Sequence, residues 1–146
     1  MTLSTTRARQ QYSRDAILSA SPARLLTMLY DRLLLDLHRA AAAQETAQWQ
    51  AASDNLLHAQ DIVAELTATL KPGTWDGAER LHGIYDYVRT ALVNANIHRD
   101  IARTREAVTL LEPLRQSWHA AAASLPAEQP ASSGSLSSPL AGGLVG

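Results

Sequence analysis

The stretch from Leu81 to Asp100 most constrains the fold, because its apolar residues are spaced for a helix with two contact faces. Intervals of three and four residues return a side chain to the same side of an α-helix. The first stripe with these intervals consists of Leu81, Tyr85, Val88, Leu92 and Ala95. A second row beside it consists of Ile84, Tyr87 and Ala91. The combined arc is wider than one neighbouring helix requires. We expect one stripe to pack on the protein and the other to remain available for a further contact.

The composition favours helices for the rest of the chain as well. Hydrophobic residues make up 46% of the 146 residues, but only 5% are aromatic and none is Phe, so Ala and Leu must supply the core. Both favour helix over sheet, and the length fits one domain. The formal net charge of -1 argues against a nucleic-acid-binding surface over the whole chain.

Cysteine usage and the N-terminus indicate where the protein works. With no cysteine, the chain has neither a disulfide framework nor a thiolate metal site. The N-terminus lacks the apolar segment of a secretory signal, and no run approaches the roughly 18 apolar residues of a membrane span. We therefore expect a soluble, cytoplasmic protein without membrane insertion.

Local signals predict where the first two helices begin and end. The first helix has Ser21 as its N-cap and Pro22 at its first position, and it runs to about Gln44. Thr46 can cap the second helix, which stops at the Lys71–Thr74 turn. Short connections make successive helices antiparallel neighbours.

The second half of the chain predicts two more helices. The third begins between Thr74 and Ala78, and the fourth begins after Asp100, which can cap it. Pro113 lies inside the fourth helix and cannot donate a hydrogen bond to the carbonyl of Thr109, so we expect a kink or break there. The sequence thus predicts an all-α fold, an antiparallel up-and-down four-helix bundle over residues 12–125.

The two ends of the chain differ from the predicted bundle in composition. Residues 1–11 are polar and only weakly basic, which favours a disordered arm over a phosphate-binding one. Residues 12–18 become amphipathic, which predicts an N-terminal flap that lies on the bundle. Residues 126–146 are rich in Pro, Gly and Ser and predict a flexible C-terminal tail.

Helical bundles also house metal centres, so the spacing of acidic residues and histidines matters. Glu79 and His82 have the i, i+3 spacing of a di-iron ligand pair, but the chain has no second Glu-x-x-His. Asp54 and His58 form an i, i+4 pair without a matching pair elsewhere. No nucleophile motif or phosphate-binding loop occurs. We expect no metal, no cofactor and no catalytic residues.

Three short motifs, in this order and at similar spacing, resemble those of the FliS family of flagellin-specific secretion chaperones. They are Ser21-Pro22 with Leu29-Tyr30-Asp31, then Leu81-x-x-Ile84-Tyr85-Asp86-Tyr87 with Leu92-x-x-Ala95-Asn96, and last Leu111-x-x-Leu114-Arg115-x-x-Trp118. The resemblance spans Tyr12 to Ala122. The chain departs from the family pattern at Arg24, at Pro113 and in the turn before the third helix.

The resemblance implies a non-enzymatic export chaperone. Such a protein binds the disordered C-terminal segment of flagellin in an apolar groove, prevents premature polymerisation and presents flagellin to the flagellar type III export gate. It also implies that the flap covers part of this groove when flagellin is absent. The alternative is a helical-bundle adaptor for another secreted or regulatory amphipathic helix. We expect a monomer or a weak homodimer.

Eight residues are the expected contacts with this partner. They are Tyr12 and Ile17 in the flap, Tyr30 and Leu34 on the first helix, Leu57 on the second, and Ile84, Tyr87 and Ala91 on the third. A competing interpretation applies to all of them, because apolar stripes on helices usually belong to the core.

Overall fold

The protein folds as a four-helix bundle. A computed structural model describes residues 21–71, 73 and 75–125. Its helices are α1 (Pro22–Glu45), α2 (Trp49–Thr69), α3 (Asp76–Ile97) and α4 (Ile101–Ala123), and no strand occurs among the described residues. Each helix packs against the next in the chain, and α4 returns to pack against α1. The predicted all-α antiparallel bundle is confirmed. The predicted arm, flap and tail, with Tyr12 and Ile17, lie outside the described residues.

Two of the predicted helix starts are confirmed by their capping bonds. Ser21 Oγ accepts a hydrogen bond from the backbone N–H of Arg24 at 3.2 Å, and Pro22 occupies the first helical position. Asp100 Oδ1 accepts from the backbone N–H of Ala102 at 3.0 Å. Each cap satisfies a donor that the helix itself leaves unpaired.

The predicted role of Thr46 as the cap of α2 is wrong. Its hydroxyl donates back to the carbonyls of Ala42 and Ala43, both at 3.3 Å, so it closes α1 instead. Helix α2 begins three residues later at Trp49, without a side-chain cap. A Thr hydroxyl can bond backward to a preceding turn as readily as forward to a following one, so sequence position alone did not decide between these roles.

Helices α1 and α3 both end with a residue in the left-handed conformation that normally favours glycine. At the end of α1 this residue is Ala47, with φ of 57°, and the backbone N–H of Gln48 donates to the carbonyl of Ala43 at 2.8 Å. At the end of α3 it is Arg99, with φ of 53°. This geometry satisfies the last carbonyls of a helix, but a side chain at such a position has a steric cost.

Pro113 does not break α4, so the break, one of the two predicted outcomes, does not occur. The helix is continuous from Ile101 to Ala123 with Pro113 inside it. Both Pro113 and Thr109, whose carbonyl loses its intrahelical donor, are solvent-exposed. Water can therefore satisfy that carbonyl, and the helix continues.

The core is apolar but contains a polar contact at its centre. The hydroxyls of Tyr30 on α1 and Tyr85 on α3 lie 2.6 Å apart and are both buried, so the pair connects two helices across the bundle. Burial raises the pKa of both phenols above the ordinary value, which keeps them neutral. Asp36 is also buried, and it accepts from Arg32 at 3.0 Å and contacts His58 of α2.

Candidate functional site

The structure divides the predicted contact residues between the core and the surface. Tyr30, Leu34 and Ala91 are buried, so Ala91 is not part of an exposed second stripe on α3, and Tyr30 and Leu34 are not on the surface of α1. Their part in binding stays a prediction that would require the helices to move. Tyr87 is 47% exposed and Ile84 is half-buried.

Tyr87 lies on the side of α3 that faces α4. Its hydroxyl donates to Glu106 Oε2 at 2.6 Å, which links the two helices at their surface. Leu110 is one turn further along α4 from Glu106, and because α3 and α4 are antiparallel it faces the turn of α3 that contains Ile84. Leu110 is 37% exposed. We call Ile84, Tyr87 and Leu110 the α3–α4 apolar seam.

The apolar seam is a shallow surface with an apolar floor. Ile84 and Leu114 pack against the buried core while remaining partly exposed. A Cβ atom placed on Gly83, one turn before Tyr87, would meet no atom within 4 Å. The surface at Gly83 is therefore open, one turn before Tyr87.

Charged residues flank the apolar seam at one end. Arg103 donates to Glu106 Oε1 at 3.4 Å, so Glu106 has partners on both α3 and α4. The hydrogen bond to Glu106 raises the pKa of Tyr87 above its ordinary value, because it stabilises the protonated phenol beside a carboxylate. At neutral pH the seam thus presents neutral apolar faces with an ion pair at its rim.

Leu57 is on a different surface from the apolar seam. It is 50% exposed on α2, and α2 packs against α1 and α3. The side of α3 that faces α2 is not the side that faces α4 and holds Tyr87. The structure therefore does not bring Leu57 together with Tyr87, although the sequence placed both in one groove.

The surface between α1 and α4 is polar. Asp31 Oδ1 accepts from Arg115 at 3.0 Å and from His119 at 2.7 Å. Burial alone would raise the pKa of Asp31, but the hydrogen bonds from His119 and Arg115 outweigh it and hold the pKa below its ordinary value. Arg115 also binds Glu112, one turn away on α4. These charges satisfy one another, which leaves little for an apolar partner to bind.

Among the described residues, cavities lie at both ends of the bundle, and three of them are large enough to consider as sites. One of about 340 Å³ lies between the start of α1 and the end of α4, with Ser21 and Leu125 on its wall. Another of about 320 Å³ lies at the opposite end, next to Trp49 and Arg99. A third of about 230 Å³ lies beside Leu70, where α2 ends and α3 begins. None of the three is lined by a residue predicted to bind the partner.

The histidine and carboxylate pairs noted in the sequence take part in local contacts. His82 Nδ1 lies 3.3 Å from Asp86 Oδ2, and His58 contacts Asp36 rather than Asp54. Within residues 21–71, 73 and 75–125, no three His, Asp or Glu side chains are arranged to hold a metal ion. None of the described helices has the length and hydropathy needed to cross a membrane.

Comparison with known proteins assigns the family. A family described as "Flagellar protein FliS" matches residues 5–125. The chain belongs to the FliS family. It is 32% identical over 107 residues to the flagellar secretion chaperone FliS of Bacillus subtilis (strain 168), covering 73% of this chain and 80% of that protein. It is 28% identical over 106 residues to FliS of Escherichia coli (strain K12), covering 71% and 78%.

A solved structure shares the fold. The crystal structure of a flagellar chaperone from bacteria matches with a TM-score of 0.66 and 21% sequence identity, over 83% of this chain and 99% of that chain. FliS is a family of chaperones and not of enzymes, which agrees with the prediction of a non-enzymatic protein. The family assignment supports a flagellar secretion chaperone with a secreted flagellar substrate.

Proposed function

We propose that this protein binds the disordered C-terminal segment of flagellin and that the α3–α4 apolar seam is part of the binding groove. The supporting observation is that Tyr87 and Leu110 remain exposed beside Ile84, which packs against the core, in a FliS-family bundle. Holding this segment in the cytoplasm would prevent flagellin from polymerising before it reaches the type III export gate.

The physical basis is the docking of an amphipathic segment on an apolar surface. Such a segment gains free energy when its apolar side chains leave water and pack against exposed apolar side chains. Ordering a disordered segment costs several kcal/mol, so the interface must be long and its affinity per unit area modest. A modest affinity suits a chaperone, because the flagellin must dissociate before export.

The N-terminal flap belongs to the same proposal. Residues 12–18, with Tyr12 and Ile17, would cover part of the groove when flagellin is absent. Export-gate components are the expected further partners. The free protein is expected to be a monomer or a weak homodimer.

A substitution at Tyr87 tests the groove. Tyr87→Asp places a charge on the apolar seam, and a docked segment would have to bury it without a partner. We expect affinity for a synthetic flagellin C-terminal peptide, measured by calorimetry, to fall by about 100-fold or more. Helical circular dichroism should not change, because Tyr87 is half-exposed.

Leu35→Asp is the matched control. Leu35 is 41% exposed on α1, away from the apolar seam, so an aspartate introduced there should leave peptide affinity unchanged.

A further variant, Leu57→Asp, tests whether the groove extends to the far side of α3. If Tyr87→Asp binds the peptide like the wild-type protein, Tyr87 is not in the site. If the wild-type protein ignores flagellin but binds another amphipathic helix, the adaptor function replaces this one.

A further inference from the structure

The end of the bundle that carries the two short helix connections has a second surface, which the proposed flagellin binding does not use. The first connection joins α1 to α2, and the second joins α3 to α4. The cavity of about 320 Å³ opens here, and the residues that line it include Trp49, Ser53, Asn96, Ile97 and Arg99. We call these five residues the loop-end site. It lies about 15 Å along α3 from Tyr87, since Ile97 follows ten residues later.

Arg99 is the central residue of the loop-end site. It adopts a φ of 53° at the end of α3, in a region where glycine has no steric cost and arginine does. Its guanidinium lies 4.9 Å from the centroid of the Trp49 ring. Within the described part of the chain Arg99 forms no ion pair. A guanidinium stacked by its face on an aromatic ring keeps its in-plane N–H donors free for a carboxylate.

The neighbours of Arg99 supply further donors and an apolar contact. Among the described residues the side chains of Ser53 and Asn96 make no hydrogen bond, so a hydroxyl and a carboxamide are free at the cavity wall. Ile97 is 68% exposed, the most exposed large apolar side chain of the described chain. Positive charge, free donors and an exposed aliphatic side chain therefore stand together.

We propose that the loop-end site binds a peptide segment in which a carboxylate stands next to an aliphatic side chain. The carboxylate accepts from the Arg99 guanidinium in a bidentate pair and from the free donors of Asn96 and Ser53. The aliphatic side chain packs on Ile97 and on the exposed edge of Trp49. Charge complementarity selects the carboxylate, and the exposure of Ile97 selects a peptide over a small acid. This site is independent of the apolar seam and does not depend on the proposed flagellin binding.

The test uses two synthetic peptides, acetyl-Ala-Leu-Glu-Leu-Ala-amide and the same sequence with Gln in place of Glu. Each is titrated into the full chain and followed by NMR of the backbone amides and the Trp49 indole N–H. With the Glu peptide we expect saturable chemical-shift changes centred on Ile97, Arg99 and Trp49. The Gln peptide should bind with an affinity at least about tenfold weaker. Equal affinity for the two peptides, or shifts that avoid the loop-end site, would overturn the proposal.

The two left-handed residues provide a matched pair of variants. Ala47→Gly and Arg99→Gly each place glycine at the same cap position, so both should keep or raise the midpoint of thermal unfolding. Only Arg99→Gly should weaken binding of the Glu peptide, by about tenfold or more. Wild-type affinity in Arg99→Gly contradicts the proposal. Sodium acetate that binds as tightly as the Glu peptide would also contradict it, because Ile97 would then contribute nothing.

Discussion

Helix α4 has two long seams, and they differ in chemistry. On the side of α1, Arg115 is paired with Asp31 at 3.0 Å within a cluster of mutually satisfied charges. On the side of α3, Tyr87 and Leu110 are exposed with open space beside them. Helix α4 therefore contacts α1 along a surface with ion pairs and contacts α3 along a surface with exposed apolar side chains.

The difference shows which seam can accept a foreign segment. A segment that docked between α1 and α4 would have to separate charges that are already paired, and would leave them partly desolvated. A segment that docked between α3 and α4 would displace water from apolar surface, with one hydrogen-bonded carboxylate, Glu106, at its rim. The apolar seam is thus the lower-cost place for binding. We call the ion-paired surface around Asp31 and Arg115 the charged seam.

Two adjacent leucines of α4 give the largest expected effect. Leu111 is fully buried, so Leu111→Ala should lower the free energy of unfolding by about 2–5 kcal/mol. Leu110 belongs to the apolar seam, so Leu110→Ala should cost less than about 1 kcal/mol. Urea denaturation of both variants measures the contrast. An equal cost for the two would mean that the apolar seam is part of the core and is not available for binding.

Gly83 should give the next largest effect, in the opposite direction. It is exposed in the interior of α3, and an added Cβ has space there. Gly83→Ala should therefore raise the free energy of unfolding by about 0.5–1 kcal/mol, because alanine favours the helix. Thermal denaturation measures this. A destabilised variant would show that another group approaches Gly83 and that the apolar seam is less open than described.

The charged seam should respond to acid. Since the pKa of Asp31 is lower in the folded protein than its ordinary value of 3.8, its contribution to stability is present above about pH 4 and is lost as pH falls through the folded pKa. Asp31→Asn should be less stable than the wild type at pH 7 by no more than about 1 kcal/mol, because the side chain is half-exposed. Urea titrations at several pH values should show the two proteins converging in acid. A difference that persists at pH 2 would point to a cause other than the ion pairs.

The smallest effect is expected for Tyr87→Phe. The ring that forms the apolar seam remains, and only the surface hydrogen bond to Glu106 is lost. Thermal stability and affinity for the flagellin peptide should both stay close to wild type, within about twofold for the affinity. A large loss of affinity, comparable to that of Tyr87→Asp, would show that the partner bonds to the hydroxyl and that the seam is not purely an apolar contact.

Local signals in the sequence predicted most of the fold. Ser21 and Asp100 mark helix starts because a cap depends only on residues within one turn. The stripe from Leu81 to Ala95 is buried as predicted. The cap at Thr46 and a break at Pro113 do not occur, because they depend on the length of a turn and on access to water. These are properties of the surroundings and not of the local pattern.

The candidate site was predicted less completely, for a related reason. Periodicity shows how wide an apolar arc is, but not which part of it the neighbouring helices cover. Tyr30 and Leu34 looked like surplus residues and are in the core, whereas Tyr87 is exposed. Leu110 was overlooked because it precedes the core residue Leu111. Its i, i+4 relation to Leu114 was the available signal for a second apolar face on α4.

The buried hydroxyl pair at the centre of the bundle has a consequence for the orientation of α3. A purely apolar core would tolerate some rotation of a helix about its own axis, but the 2.6 Å contact between Tyr30 and Tyr85 specifies one angle. Tyr87 follows two residues later, which is about 200° around the helix. When Tyr85 points into the core, Tyr87 therefore points toward the solvent. The buried hydrogen bond between the two phenols thus determines which residues of α3 are exposed.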